Sequence, residues 1–278
     1  MRLSFSNIAW EPAEDIEAAE LLGKYSVNCI DIAPGKYFST PRTVCDKEIA
    51  RVRAWWASRG ITIAGMQSLL FGTVGLNVFG SSDSQKALIE HMRYICRIGG
   101  GLGAGRLVFG SPKNRDRSGL TDEQSADIAC AFFNTIGDIA RECGVMVCLE
   151  PNPTHYGANF MTTSDETAAI VIAVGHSAIR MQFDTGALVI NKECPGTVLR
   201  KYASLIGHIH ASEPDLLPLG DGGTPHEQMA EVLNVCLQDP LVCIETVATR
   251  TESHLTSMER SLQVATKAYM GLLGSEVV

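Results

Sequence analysis

The feature that most constrains this chain is a recurring unit in which a helical stretch ends on glycine and a short apolar strand follows. Arg59-Gly60 precedes ITIAGM, Cys143-Gly144 precedes VMVCLE, and Gly175 stands ahead of IRMQFD. Glycine just past a helix end adopts the left-handed conformation that closes the last turn, because it carries no Cβ to clash there. The strands that follow are apolar on both faces, as in a parallel sheet covered by helices. Eight strands are predicted, at roughly 2–8, 27–33, 61–68, 106–111, 145–150, 179–185, 206–212 and 241–247. Their starts are far enough apart for a helix between each pair. Ile49, Val52 and Trp56 keep helical spacing, Pro12 sits near a first turn, and Thr121–Gln124 and Thr163–Glu166 have the form of capping boxes. Strand–helix alternation repeated eight times means a barrel or a doubly wound sheet. A length of 278 residues suits one complete (β/α)8 barrel. With no linker, composition break or low-complexity run, residues 1–278 are assigned to one domain.

In such a barrel the chemistry sits at the C-terminal ends of the strands. Strand 5 ends in Glu150, strand 6 in Asp184, strand 7 in His210 and strand 8 in Glu245. Side-chain alternation puts His208, His210 and Ser212 on one face of strand 7, and Arg180, Gln182 and Asp184 on one face of strand 6. Glu150 likewise follows Met146 and Cys148, and Glu245 follows Leu241 and Cys243, so all four polar sides can point inward together. Any one of these residues alone would read as a helix cap, an ion-pair partner or a hydrogen-bonded core histidine. Four matched positions on four successive strands read as a metal site. Three converging carboxylates would otherwise repel and shift toward protonation, and one divalent cation removes that conflict. An oxygen-rich set with one imidazole suits Mn2+, Mg2+ or Co2+, with Zn2+ as a further candidate.

The stretches Leu149-Glu150-Pro151-Asn152, Phe183-Asp184-Thr185-Gly186, His208-Ile209-His210 with Gly220-Asp221-Gly222, and Ile244-Glu245-Thr246 resemble the xylose isomerase-like TIM-barrel superfamily. That group includes sugar-phosphate isomerases and epimerases, ketose 3-epimerases, inosose dehydratases and endonuclease IV. The resemblance covers essentially the whole chain, and Ser261 to Tyr269 looks like the family's last helix. It implies that Glu150, Asp184, His210 and Glu245 hold one metal ion, with Glu150 and Glu245 as the acid/base pair on opposite faces of the reacting carbon. The expected activity is a metal-dependent sugar, sugar-phosphate or polyol isomerase or epimerase working through an enediolate. The alternative is a dehydratase or lyase on a keto-polyol. A sugar-binding relative without turnover is a further reading, against which the presence of both glutamates argues. Ketose 3-epimerases carry a substrate-binding His three residues after the metal Asp and an Arg six residues after the metal His; here these are Ala187 and Leu216. An endonuclease IV-like trinuclear zinc site lacks ligands, since strand 3 ends in Gln67 and Ser68, and a net charge of −8 disfavours nucleic acid.

Further substrate contacts are expected from residues after the early strands and around the metal positions: Asn7, Asp31, Lys36, Gln67, His155, His208 and Glu213. His208 reads as a satisfied core histidine ahead of a support for His210. Lys113, Arg115 and Arg117 read as a solvated basic loop ahead of a phosphate-binding one. The glycine-rich, apolar loop 69–82 is a candidate lid or subunit contact, leaving a homo-oligomer open. The run Gly99–Gly105 precedes a strand and opens no helix, so it reads as a flexible connection and not a phosphate loop. Nine cysteines without a C-x-x-C pair, no membrane-spanning run and no leader-like N-terminus make a reduced, cytoplasmic protein with a small-molecule partner the expectation.

Overall fold

The computed structural model describes residues 1–271 and shows a closed eight-stranded parallel barrel. The strands are β1 (Arg2–Ser6), β2 (Cys29–Ile32), β3 (Thr62–Met66), β4 (Arg106–Phe109), β5 (Met146–Leu149), β6 (Ile179–Asp184), β7 (Ile206–Ser212) and β8 (Leu241–Glu245). Each pairs with the next, and β1 closes on β8 through Arg2–Leu241 to Phe5–Ile244. All eight predicted strands are present. The seventh has its predicted bounds, and the others are shorter, mostly at their C-terminal ends.

Outside the barrel lie α1 (Asp15–Lys24), α2 (Asp46–Ala57), α3 (Ser82–Leu102), α4 (Asp122–Glu142) and α5 (Ser164–Val174). They are followed by α6 (Thr185–Asn191), α7 (Pro195–Tyr202), α8 (His226–Cys236) and α9 (His254–Ala265), the last running into a wider turn at Thr266–Met270. Helix starts follow their caps. Thr121 and Gln124 form the reciprocal capping box ahead of α4. At α5, Thr163 accepts from Glu166 N as expected, but the Glu166 carboxylate accepts from Thr162 N, one residue earlier. No helix among the described residues is long and apolar enough to cross a membrane.

The glycine run corrects one expectation. Gly99, Gly100 and Gly101 are in the last turn of α3, Gly103, at φ 81°, is its cap, and Gly105 lies in the connection to β4. A Cβ at Gly101 would lie 2.8 Å from Ile49 of α2, and one at Gly100 would collide with the carbonyl oxygen of Cys143. Glycine costs helix stability, and here it allows α3 to approach α2 and the end of α4 closely. Tertiary packing overrides the local propensity.

Two ladder irregularities lie beside the polar interior. The β2–β3 register shifts between Ile30 and Asp31, and the β6–β7 register between Met181 and Gln182. Such shifts re-aim the side chains that follow, and those include Asp31 and Asp184.

Candidate metal centre

Glu150 leaves the end of β5, Asp184 ends β6, His210 lies within β7 and Glu245 ends β8. Neighbour register places Asp184 opposite His210 and Glu245 opposite Ser212, so the tilt of the strands brings all four to one level. One donor atom from each lies within 4.8 Å of all the others. His210 Nδ1 is 3.0 Å from Glu245 Oε2, 3.5 Å from Glu150 Oε1 and 3.9 Å from Asp184 Oδ2. Yet neither ring nitrogen of this fully buried imidazole makes a well-directed hydrogen bond. A buried nitrogen with no aligned partner is costly, and that pattern fits a ligand aimed at a shared cation.

Hydrogen bonds from outside the cluster hold the carboxylates in place. Asn152 Nδ2 donates to Glu150 Oε2 at 3.2 Å, and Gln67 Nε2 donates to Glu245 Oε1 at 2.5 Å. Asp184 caps its own helix by accepting from Ala187 N at 2.6 Å, and its second oxygen accepts from Ser212 Oγ at 2.8 Å. Glycine alone fits at Gly110 beside this group, since a Cβ there would fall on Glu150 Oε2. Behind the cluster the fully buried Arg115 donates from Nη1 to the Glu150 carbonyl at 2.7 Å. Its guanidinium is pushed down to about 10 by burial, so it remains charged at neutral pH.

Electrostatically the group is out of balance. Burial, then the charges of Glu150 and Glu245, hold the Asp184 carboxyl well above the usual carboxylate range. Burial alone would depress His210, but Glu245 and Glu150 outweigh it and raise the imidazole well above its ordinary value. Three carboxylates and one imidazole in a buried site recruit protons when no cation is present. A divalent cation of any oxygen-preferring type fits this donor set.

Beneath lies a second polar layer, Ser4, Asp31, His208 and Cys243, grouped around the lower side of His210. His208 Nε2 is 2.6 Å from Asp31 Oδ2, with both side chains fully buried. A Cβ at Gly65 would collide with the Asp31 carboxylate, so the bulged strand pair makes room for it. Burial opposes ionisation of Asp31, but His208 outweighs it and keeps the carboxyl low. Burial pushes the Cys243 thiol well up, consistent with a small core side chain.

The other sequence-predicted residues fall in different places. Gln67 lines the cavity above the cluster. Asp31 and His208 bind each other below it. Asn7 is buried and accepts from Ala33 N at 2.7 Å, tying the end of β1 to that of β2. Lys36 donates to the Trp10 carbonyl and lies 3.8 Å from Glu11. His155 is exposed and 3.0 Å from Asp215. Both oxygens of Glu213 are engaged by the loop after β7, accepting from Gly220 N and Thr224 N at 2.7 Å each. Arg115 and Arg117 are not solvated as the sequence suggested: Arg117 donates to the Asn159 carbonyl and pairs with Asp122. Asn152 stood inside the Leu149–Asn152 motif, whereas nothing in the local sequence distinguishes Arg115 as buried.

The cluster forms the floor of a cavity of about 820 Å3, walled by the loops after β3, β4, β5 and β7. Ala187 and Leu216 both line it. Three of its residues, Ser68, Asp215 and Leu216, hold positive φ of 54–58°. Such strain persists only where surrounding structure imposes it, and it concentrates at functional sites.

Comparison with known proteins agrees with this architecture. Inosose dehydratase of Clostridium beijerinckii is 30% identical over 142 residues, which is 47% of this chain and 45% of that protein. D-psicose 3-epimerase of Enterocloster bolteae is 25% identical over 116 residues, 41% of this chain and 38% of that protein. The matched part therefore spans less than half the length of these curated relatives. The crystal structure of D-psicose 3-epimerase with D-tagatose from Clostridium cellulolyticum superposes with a TM-score of 0.79 at 19% identity, covering 98% of this chain and 99% of that one. Residues 16–267 match the family model described as xylose isomerase-like TIM barrel, and the chain belongs to that family.

Proposed function

We propose that this protein is a divalent-metal-dependent epimerase or isomerase of a sugar or polyol, with Glu150, Asp184, His210 and Glu245 holding the ion. One observation carries this reading: the four donors converge within 4.8 Å while both nitrogens of the buried His210 lack an aligned partner. The epimerase and dehydratase relatives support carbon-acid chemistry on a small polyhydroxylated substrate. Bound there, a divalent cation supplies Lewis acidity to the substrate oxygens and favours enediolate character.

The chain's own residues supply the rest. Glu150 and Glu245 both approach His210 Nδ1, each with one oxygen fixed by an amide, Asn152 or Gln67, and the other directed at the cluster. One carboxylate takes the proton from the reacting carbon and the other returns one. Return to the opposite face gives epimerisation, and return to the adjacent carbon gives isomerisation. Asp184, committed on both oxygens, positions and does not transfer protons. Loss of a neighbouring hydroxyl from the same enediolate would make the protein a dehydratase, a reading favoured by the inosose dehydratase relatives.

The test is solvent exchange. Metal-replete protein in 2H2O should incorporate deuterium at the reacting carbon of one member of a panel of ketoses, ketose phosphates and inososes. Chelation should abolish incorporation and added divalent cation restore it. No incorporation across the panel would remove the reading. A product lighter than its substrate by the mass of one water would select the dehydratase.

A further inference from the structure

We infer that Ser212 and Thr185 are positioning residues of the metal centre: their two buried hydroxyls set the angle and reach of the Asp184 carboxylate, and so the affinity of the site for a divalent cation. The inference rests on the proposed function for the presence of the ion and on the hydrogen bonds between β6, α6 and β7 for the rest.

Asp184 stands where regular structure stops. It is the last residue of β6, its pairing with His210 is the last register pair between β6 and β7, and the chain turns at once into α6. β7 runs on to Ser212, which pairs with Glu245 on β8. Beyond Asp184, β6 therefore offers β7 no further ladder partner, yet Asp184 has to meet His210 and Glu245 at one point. Two hydroxyls replace the ladder. Thr185 Oγ1 accepts from Ser212 N and donates to the Ser212 carbonyl, at 2.8 Å each. Ser212 Oγ accepts from Gly186 N at 2.9 Å and donates to Asp184 Oδ2 at 2.8 Å. Ser212 thus spends its N–H, carbonyl and hydroxyl on the turn 184–186, while standing opposite Glu245 and two residues beyond His210.

The packing leaves this arrangement little slack. Ser212 and Thr185 are both fully buried. A Cβ at Gly186 would lie 2.8 Å from Ser212 Oγ and from the Glu213 carbonyl oxygen, so glycine is what lets the turn come this close to β7. Water has no access to replace a lost hydroxyl, and a buried backbone N–H without an acceptor is costly.

The Asp184 oxygen involved is the one that faces the cluster. Oδ1 is spent on Ala187 N at 2.6 Å, whereas Oδ2 lies 3.9 Å from His210 Nδ1. A carboxylate oxygen has two lone pairs, so Oδ2 can accept from Ser212 and still present one to a cation. The torsion that turns a carboxylate about its Cβ–Cγ bond is broad and two-fold. Bonds to both oxygens, from Ala187 N and from Ser212 Oγ, remove that freedom in advance. Without Ser212 Oγ the carboxylate is anchored at one oxygen only, and Gly186 N loses its acceptor. Asn152 and Gln67, which hold the two glutamates, line the cavity, whereas Ser212 and Thr185 are closed off from it. A substrate can touch those amides but not these hydroxyls, which act through Asp184 alone.

The experiment titrates the full-length, chelator-stripped protein with Mn2+ alone, by calorimetry, and records the thermal midpoint of each metal-free variant. Ser212→Ala should weaken Mn2+ binding by about 10–100-fold, the usual worth of a hydrogen bond that orients a ligating group. Thr185→Val, of the same shape, should weaken it in the same direction and by less. Thr185→Ser, which keeps the hydroxyl, should bind as wild type does. Thr224→Val is the control: the Thr224 hydroxyl donates to the same Ser212 carbonyl at 3.2 Å but is not bonded to Asp184 or Gly186. It should lower the thermal midpoint without weakening Mn2+ binding. Wild-type affinity in Ser212→Ala, equal weakening in Thr185→Val and Thr185→Ser, or a Thr224→Val loss as large as that of Ser212→Ala would each overturn the inference. If Ser212→Ala does not fold, the two Thr185 variants decide. Wild-type protein that binds no divalent cation removes the proposed function and the inference with it. Wild-type binding that the Ser212 and Thr185 variants leave unchanged removes the inference alone.

Discussion

Two polar layers are stacked inside this barrel, and they handle buried charge differently. The lower layer has one carboxylate and one imidazole, Asp31 and His208, joined at 2.6 Å with no exposure of either. The upper layer has three carboxylates for one imidazole, with distances of 3.0–3.9 Å and no aligned hydrogen bond to the ring. The layers share two strands: His208 and His210 are two residues apart on β7, and Cys243 and Glu245 two apart on β8. The difference is stoichiometry and access. A buried pair in matched numbers stabilises itself, while an acid excess at the floor of an open cavity needs something from outside. A polar interior can thus serve structure in one layer and, with the proposed function, ligand binding in the next.

The comparison breaks first, and by the most, at the upper layer. Glu150→Gln and Glu245→Gln should each lower the rate of deuterium incorporation by about 10^2–10^4-fold, the usual worth of a positioned acid or base. Loss from only one of them would leave a single-base reaction. In the lower layer, Asp31→Asn should cost about 1–3 kcal/mol of folding stability, because a neutral amide replaces the carboxylate that faces His208 in a closed core. Denaturant midpoints measure this. A cost below about 1 kcal/mol would show that the two layers are not distinct in kind.

Glu213 provides an intermediate case, since it is buried beside the site yet fully hydrogen-bonded. Burial raises its carboxyl, but His226, Thr224 and Gly220 outweigh that and hold it below the usual carboxylate range. A depressed folded-state value means that its contribution is complete above the unfolded value and is lost as pH falls through the folded one. Glu213→Gln should therefore cost about 1–3 kcal/mol at neutral pH, with the gap to wild type closing below the normal glutamate range. Stability curves against pH check both the size and the sign. The smallest effect separates the layers most sharply. In metal-free protein, Glu245→Gln should stabilise by up to about 1 kcal/mol, because it relieves repulsion, opposite in sign to Asp31→Asn. Saturating divalent cation should reverse that order, raising wild type by about 2.7 kcal/mol at a hundredfold excess over Kd. Thermal shifts with and without chelator read the reversal.

Much of this molecule is visible in its sequence because strand phase is a local property. Period two fixes which side of a strand His210 occupies, and the glycine caps and apolar runs locate the strand ends. Hence the eight strands and the inward set at their ends can be read one segment at a time. The Gly99–Gly101 stretch marks where local reading fails, because the close approach of Ile49 and Cys143, distant in the chain, leaves no room for a Cβ at Gly100 or Gly101. The same limit applies inside the site. Gln67 reaches Glu245 across 178 residues and His208 reaches Asp31 across 177. Arg115, drawn from a loop that reads as solvated, ends beneath the Glu150 carbonyl. By itself the sequence determined the barrel's elements and the level at which four ionisable side chains meet, since both depend on near-neighbour periodicity. Which oxygens are spoken for and which imidazole is paired depended on barrel closure, because those contacts join strands and loops that are distant in the chain.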